Sequence, residues 1–218
     1  MRAKTIMPTI TLEIRRIPKP GMHYQLMDAV KEALSHEDRA GIVTSSEQVS
    51  HLMTPDVVTA MSFTSWDDLE QLTVSKNSDK KFQQRQASIA EYCASAHTMQ
   101  ALNVISSGDM LLNVADSHYM RRSFILAKRG EVGNLLETLL EWQQAFPNGS
   151  RPTVQKAVAG NVDQLRVTSV FKSLGDLVES STAIATSPDY EQFRSRMDST
   201  TISVSGYNSR IVYKKAAN

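Results

Sequence analysis

The feature that most constrains this chain is a junction that occurs twice. Phe63-Thr64-Ser65-Trp66-Asp67-Asp68-Leu69 and Phe171-Lys172-Ser173-Leu174-Gly175-Asp176-Leu177 share Phe, Ser, Asp and Leu at one constant offset of 108 positions. At each site a β-prone apolar run ends and a serine stands three residues before an acid. That spacing lets the hydroxyl accept from the backbone of a helix's first turn, while the carboxylate sits at the helix's positive end. The same strand-to-helix transition therefore recurs at about half the 218-residue length.

The segments around the junctions follow one order. Thr9 to Ile17 is rich in β-branched and apolar residues, with Leu12 and Ile14 on one face, and stops at Pro18-Lys19-Pro20-Gly21. From His23 to Leu34, the residues Tyr24, Met27, Val30 and Leu34 recur every three or four positions and predict an amphipathic helix. Extended stretches follow at Gly41 to Met53 and Val57 to Phe63, with Thr54-Pro55-Asp56 as the hairpin connection. A helix starting at Ser65 breaks near Asn77-Ser78-Asp79 and resumes through Phe82, Ile89 and Tyr92, before an extended run from His97 to Ile105.

After a loop from Ser106 to about His118, the order β-α-β-β-α-β is repeated. A strand runs from Arg121 to Lys128, a helix from Glu131 to Phe146 and strands from Val154 to Gly160 and Leu165 to Phe171, followed by a capped helix and a final strand. In the last helical stretch Ser187 is expected as a cap, with Pro188 at the first helical position. Asn148-Gly149-Ser150 reads as a turn. The fold class is α+β, with tandem ferredoxin-like (βαββαβ) repeats in which two open sheet faces cover each other. The expected domains are residues 1–106, a linker at 107–119 and residues 120–218.

Charge and cysteine content narrow the partners. Lysines and arginines number 24 against 23 acidic residues, a net charge of +1 with no basic field to draw in nucleic acid or anionic lipid. Cys93 is the single cysteine, which excludes an intrachain disulfide and any site built on several thiolates. Charged residues interrupt the N-terminal segment, leaving no secretory core and no span of roughly 20 apolar residues. The expectation is a cytoplasmic protein, with homo-oligomerisation left open.

Among single residues, His97 opens a strand where a pocket between sheet and helices would be lined, and an imidazole near neutrality can move a proton. It is the candidate catalytic residue, set against an ordinary half-exposed strand-end histidine. Tyr24, Met61, Phe63, Trp142, Phe171 and Tyr190 are the candidate ligand-binding residues for a flat apolar molecule, though core packing explains their spacing as well. His23, His36, His51, His97 and His118 have no metal-pair spacing, so neither metal nor cofactor is expected. Cys93, read on a helix with Ile89 and Tyr92, is a small hydrophobe.

Glu13-Ile14-Arg15 followed by Pro20-Gly21, together with Phe171-Lys172-Ser173-Leu174 leading to Ser187-Pro188-Asp189-Tyr190-Glu191-Gln192-Phe193-Arg194, resembles the NIPSNAP and antibiotic-biosynthesis-monooxygenase branches of the dimeric α/β-barrel superfamily. The resemblance implies a tandem fusion forming an intramolecular dimeric α/β barrel. It implies two functions: a cofactor-independent oxygenase or cyclase of a polyketide-like substrate, or a non-enzymatic NIPSNAP-like binding or interaction module. The haem-degrading relatives' pattern is broken, because no histidine lies between Trp66 and Tyr92 and Thr9 to Ile17 holds no asparagine. Trp66 is therefore expected to be a packing residue.

Overall fold

The computed structural model describes residues 9–46, 55–109, 114–146 and 151–217. The end of the expected strand from Gly41 to Met53, Thr54 of the hairpin connection, His51 and the Asn148-Gly149-Ser150 turn lie outside the described residues. The fold is mixed α+β, and the chain divides into two compact units: Met1–Asn103 with Ile211–Asn218, and Val104–Arg210.

The first unit contains β1 (Ile10–Arg16), α1 (His23–Ser35), β2 (Gly41–Ser45), β3 (Val57–Phe63), α2 (Trp66–Ser78), α3 (Lys80–Glu91) and most of β4 (Thr98–Ser106), whose end passes the unit's limit at Asn103. β1 pairs antiparallel with both β3 and β4, and β2 pairs antiparallel with β3, giving the order β4-β1-β3-β2. β1 is thus central, and strand alternation sends Leu12, Ile14 and Arg16 to one face. α1 buries His23, Leu26, Val30 and Leu34. This corrects the expected stripe: Leu26, Val30 and Leu34 recur at four-residue steps, which turns Tyr24 outward to 57% exposure.

Both expected helix starts at the repeated junction form. Ser65 Oγ accepts from the Asp68 amide at 3.1 Å, and Ser173 Oγ accepts from the Asp176 amide at 3.0 Å while Asp176 reaches back to the Ser173 amide. The break between α2 and α3 also forms, with Asp79 Oδ1 accepting from the Lys81 and Phe82 amides. α3 ends at Glu91, two residues short of Cys93. Cys93 instead lies in an isolated antiparallel bridge with Pro18, so it is a connector residue rather than a helical one.

The second unit contains β5 (Tyr119–Ala127), α4 (Val132–Ala145), β6 (Thr153–Ala157), β7 (Gln164–Phe171), α5 (Leu174–Ala185) and α6 (Tyr190–Thr200), with β8 (Thr201–Lys215) continuing past the unit's limit. β5 pairs antiparallel with β7 and β8, and β6 with β7, giving β8-β5-β7-β6. α6 starts at Tyr190 with Asp189 as its cap residue, not at Pro188 after a Ser187 cap. The Tyr190 amide donates to the Ser187 carbonyl at 3.0 Å, so Ser187 to Tyr190 close a turn that holds proline at its second position, where the ring's fixed φ fits. No helix among the described residues is long and apolar enough to cross a membrane.

Gly108, just after β4, has φ +54, and a Cβ there would lie 2.3 Å from the backbone carbonyl oxygens of Arg151 and Pro152. Both the left-handed conformation and the close approach demand glycine. Gly108→Ala is expected to destabilise the protein by about 2 kcal/mol or more, measured by urea unfolding.

Candidate functional site

α2 and α3 each bury a single side chain, Leu72 and Ile89. On α2, Val74 is 65% exposed. Near Leu72, three positions carry short side chains: Ala33 on α1, Thr59 on β3 and Thr73 on α2. Side chains of that size leave space unfilled between helices and sheet. The result is a cavity of about 300 Å³ inside the first unit.

Its walls are mainly apolar. β1 contributes Leu12 and Ile14, β3 contributes Met61, and the helices contribute Val30, Leu34, Leu72, Phe82 and Ile89. Polar groups enter at a few points. Arg16 extends the Leu12-Ile14 face by one more alternation and is only 4% exposed. Its guanidinium donates to Thr59 Oγ1 and to Gln86 Oε1, both at 3.3 Å. No carboxylate among the described residues pairs with it, and burial pushes its pKa down to about 10.

His97 stands just ahead of β4 on the cavity wall, with its residue largely exposed. Partial burial first, and the positive charge of Arg16 second, hold its pKa below the ordinary imidazole value, which favours the neutral, proton-accepting form. Cys93, beside Arg16, has its thiol pushed up by burial against the opposing pull of Arg16 and Lys19, so it stays uncharged at neutral pH. Elsewhere on the wall, Lys76 Nζ lies 2.9 Å from Glu37 Oε1 and 4.8 Å from the centre of the Phe82 ring.

Of the residues singled out from the sequence, His97 and Met61 meet in this cavity. Phe63 is 1% exposed in the first unit's core, with the Arg39 guanidinium 5.2 Å from its ring centre. Tyr24 is outside the cavity, edge-on to His23. Trp66 is 45% exposed at the start of α2, which corrects its reading as a packing residue: it follows the cap directly and points away from the Leu72 side.

The other three belong to the second unit. Trp142 on α4 stacks on Phe193 of α6 at 4.7 Å and meets Phe146 edge-on at 4.5 Å, filling the space between those helices. Phe171 lies 6.0 Å from the Arg121 guanidinium, and Tyr190 is half-buried at the start of α6. The sequence reading passed over Arg16, Gln86 and the Glu37–Lys76 pair. Arg16 carried a visible signal, as a charged residue in step with Leu12 and Ile14 on the apolar face. Among the described residues, no three His, Cys, Asp or Glu side chains converge as a metal site would need.

No protein-family model matches the chain, and no curated protein matches it. Its fold is shared nearly end to end with solved structures. A candidate monooxygenase of Fusobacterium nucleatum subsp. nucleatum aligns with TM-score 0.70 and 7% identity, over 96% of this chain and 95% of that one. A candidate monooxygenase of Lactobacillus acidophilus aligns with TM-score 0.66 and 9% identity, over 96% and 97%. An anthrone oxidase-like protein aligns with TM-score 0.64 and 12% identity, over 97% and 94%. At these identities the likeness shows the fold alone.

The lowered pKa of His97 has a definite sign. The unfolded chain takes up this proton more readily than the folded one, so His97's contribution to stability is present above about pH 6.5 and is lost as pH falls through its folded value. Arg16→Gln is expected to raise the His97 midpoint part of the way toward 6.5, read from imidazole proton resonances during a pH titration. An unchanged midpoint would assign the whole shift to burial.

Proposed function

We propose that the first unit binds a small, flat, apolar molecule between its helices and sheet and acts on it as a cofactor-independent oxygenase. One observation carries this reading: the apolar cavity of about 300 Å³ combines a neutral imidazole on its wall with a buried guanidinium. That volume is at the lower end of the roughly 300 to 1,000 Å³ range of ligand sites. Three structural neighbours with monooxygenase or oxidase names support the reaction class. The finer architecture proposed with it is a tandem ferredoxin-like fusion of the dimeric α/β-barrel type, supported by the repeated junction and by the strand orders of the two units. A NIPSNAP-like interaction module predicts a filled interior, and the cavity speaks against it.

In this chemistry His97 accepts a proton from an acidic C–H or O–H of the substrate, and the positive charge of Arg16 stabilises the anion left behind. Dioxygen is the oxidant. For a CH₂ group between aromatic rings, one oxygen atom ends as the product carbonyl and the other leaves as water with the two hydrogens. The protein supplies binding and proton removal.

Anthrone under air is a suitable probe, with anthraquinone formation followed by absorbance above the protein-free rate. His97→Gln is expected to lower the catalysed rate on the order of 100-fold. Ala33→Phe, which grows a ring into the cavity, is expected to keep the thermal midpoint and abolish the catalysed rate. Equal rates for the wild type and Ala33→Phe would remove the cavity from the reaction.

A further inference from the structure

We propose that the molecule held in this cavity is an apolar monoanion, bearing one acidic oxygen group that pairs with Arg16. The proposal rests on the cavity being a ligand site, as argued above, and adds the charge of its occupant and the residue that selects it.

The argument is a charge balance over the cavity wall. Four titratable side chains line it: Arg16, Glu37, Lys76 and His97. Glu37 and Lys76 answer each other at 2.9 Å. His97 is held toward its neutral form. One positive charge remains, on a guanidinium that is 4% exposed and that, among the described residues, meets only the neutral oxygens of Thr59 and Gln86. The nearby Cys93 cannot supply a counter-charge, because its thiol is pushed toward the protonated form.

A buried charge of this kind is costly unless paired, and its lowered pKa is the measure of that cost. The guanidinium presents five N–H donors in a flat fork, and the two neutral partners leave donors available. An oxyanion on a ligand restores the missing counter-charge in a low-dielectric wall, where charge-assisted bonds are strong. A dianion would exceed the single charge available, and a neutral ligand would leave it uncompensated. Apolar walls and one cation together describe an aromatic carboxylate or a phenolate, which share the same recognised group.

The test is calorimetric binding to the whole protein near pH 7.5 with three probes of similar shape: 2-naphthoate, 2-naphthol and the neutral 2-acetonaphthone. For the wild type, 2-naphthoate is expected to bind at least about tenfold more tightly than 2-acetonaphthone. Arg16→Gln should bring that ratio to about one while changing 2-acetonaphthone affinity less than about twofold, and Arg16→Lys should retain part of the preference. Binding of 2-naphthol with release of one proton, seen as a buffer-dependent heat, would assign a phenolate; tight 2-naphthoate binding without it would assign a carboxylate.

Equal affinity of the wild type for 2-naphthoate and 2-acetonaphthone would overturn the anion assignment while leaving the cavity a ligand site, and so would a preference that survives in Arg16→Gln. Failure of all three probes to bind would overturn both readings. The wild-type comparison decides the question even if a variant does not fold.

Discussion

The placement of β1 between β3 and β4 is the constraint from which the first unit follows. A strand paired on both edges has no freedom to slip, because a one-residue shift would carry every apolar side chain to the wrong face. With the pairings of Leu12 to Met61 and to Ala101, the helix side of the sheet is settled residue by residue. Arg16 has the same parity as Leu12 and Ile14, so the register that buries the leucine and isoleucine must also bury the arginine. Its burial is a consequence of strand geometry, imposed by the neighbours that make the core.

The two units resolve the contact between helices and sheet differently. In the second, Trp142, Phe146 and Phe193 bring three aromatic rings together against Leu139 and Met197. In the first, Leu12, Val30, Leu34, Met61, Leu72 and Ile89 line the space between helices and sheet without filling it, and α2 is held through Leu72 and through the ion pairs Arg39–Asp68 at 2.5 Å and Lys76–Glu37 at 2.9 Å. A core with native density has no room for a guest, whereas one with short side chains keeps a void whose walls have lost part of their dispersion contacts.

Much of this was legible in the residues. The Ser65–Asp68 and Ser173–Asp176 spacings announced both helix starts, since capping is a local bond that needs no tertiary context. The break at Asp79 was legible for the same reason. His97 and Met61 could be placed on the cavity because a strand's origin and parity can be read locally. The failures were non-local. The buried stripe of α1 runs through Leu26 rather than Tyr24, since both fit a helical period and only the sheet decides which is buried. Ser187-Pro188 resembled a helix start but serves a turn. The cavity itself depends on what Ala33, Thr59 and Thr73 fail to fill once three elements meet, which no single segment reveals.

The junction beyond β1 has a mechanical meaning. The Lys19 amide donates to the Tyr92 carbonyl and the Ala94 amide to the Ile17 carbonyl, both at 2.8 Å, around the Pro18–Cys93 bridge. This clasp ties the last turn of α3 to the far end of the strand that carries Arg16, and the chain then runs directly into His97. The stretch that carries Arg16 and the stretch that leads to His97 are therefore tied to each other by these two backbone bonds, and the rim they form is a single stapled edge of the sheet.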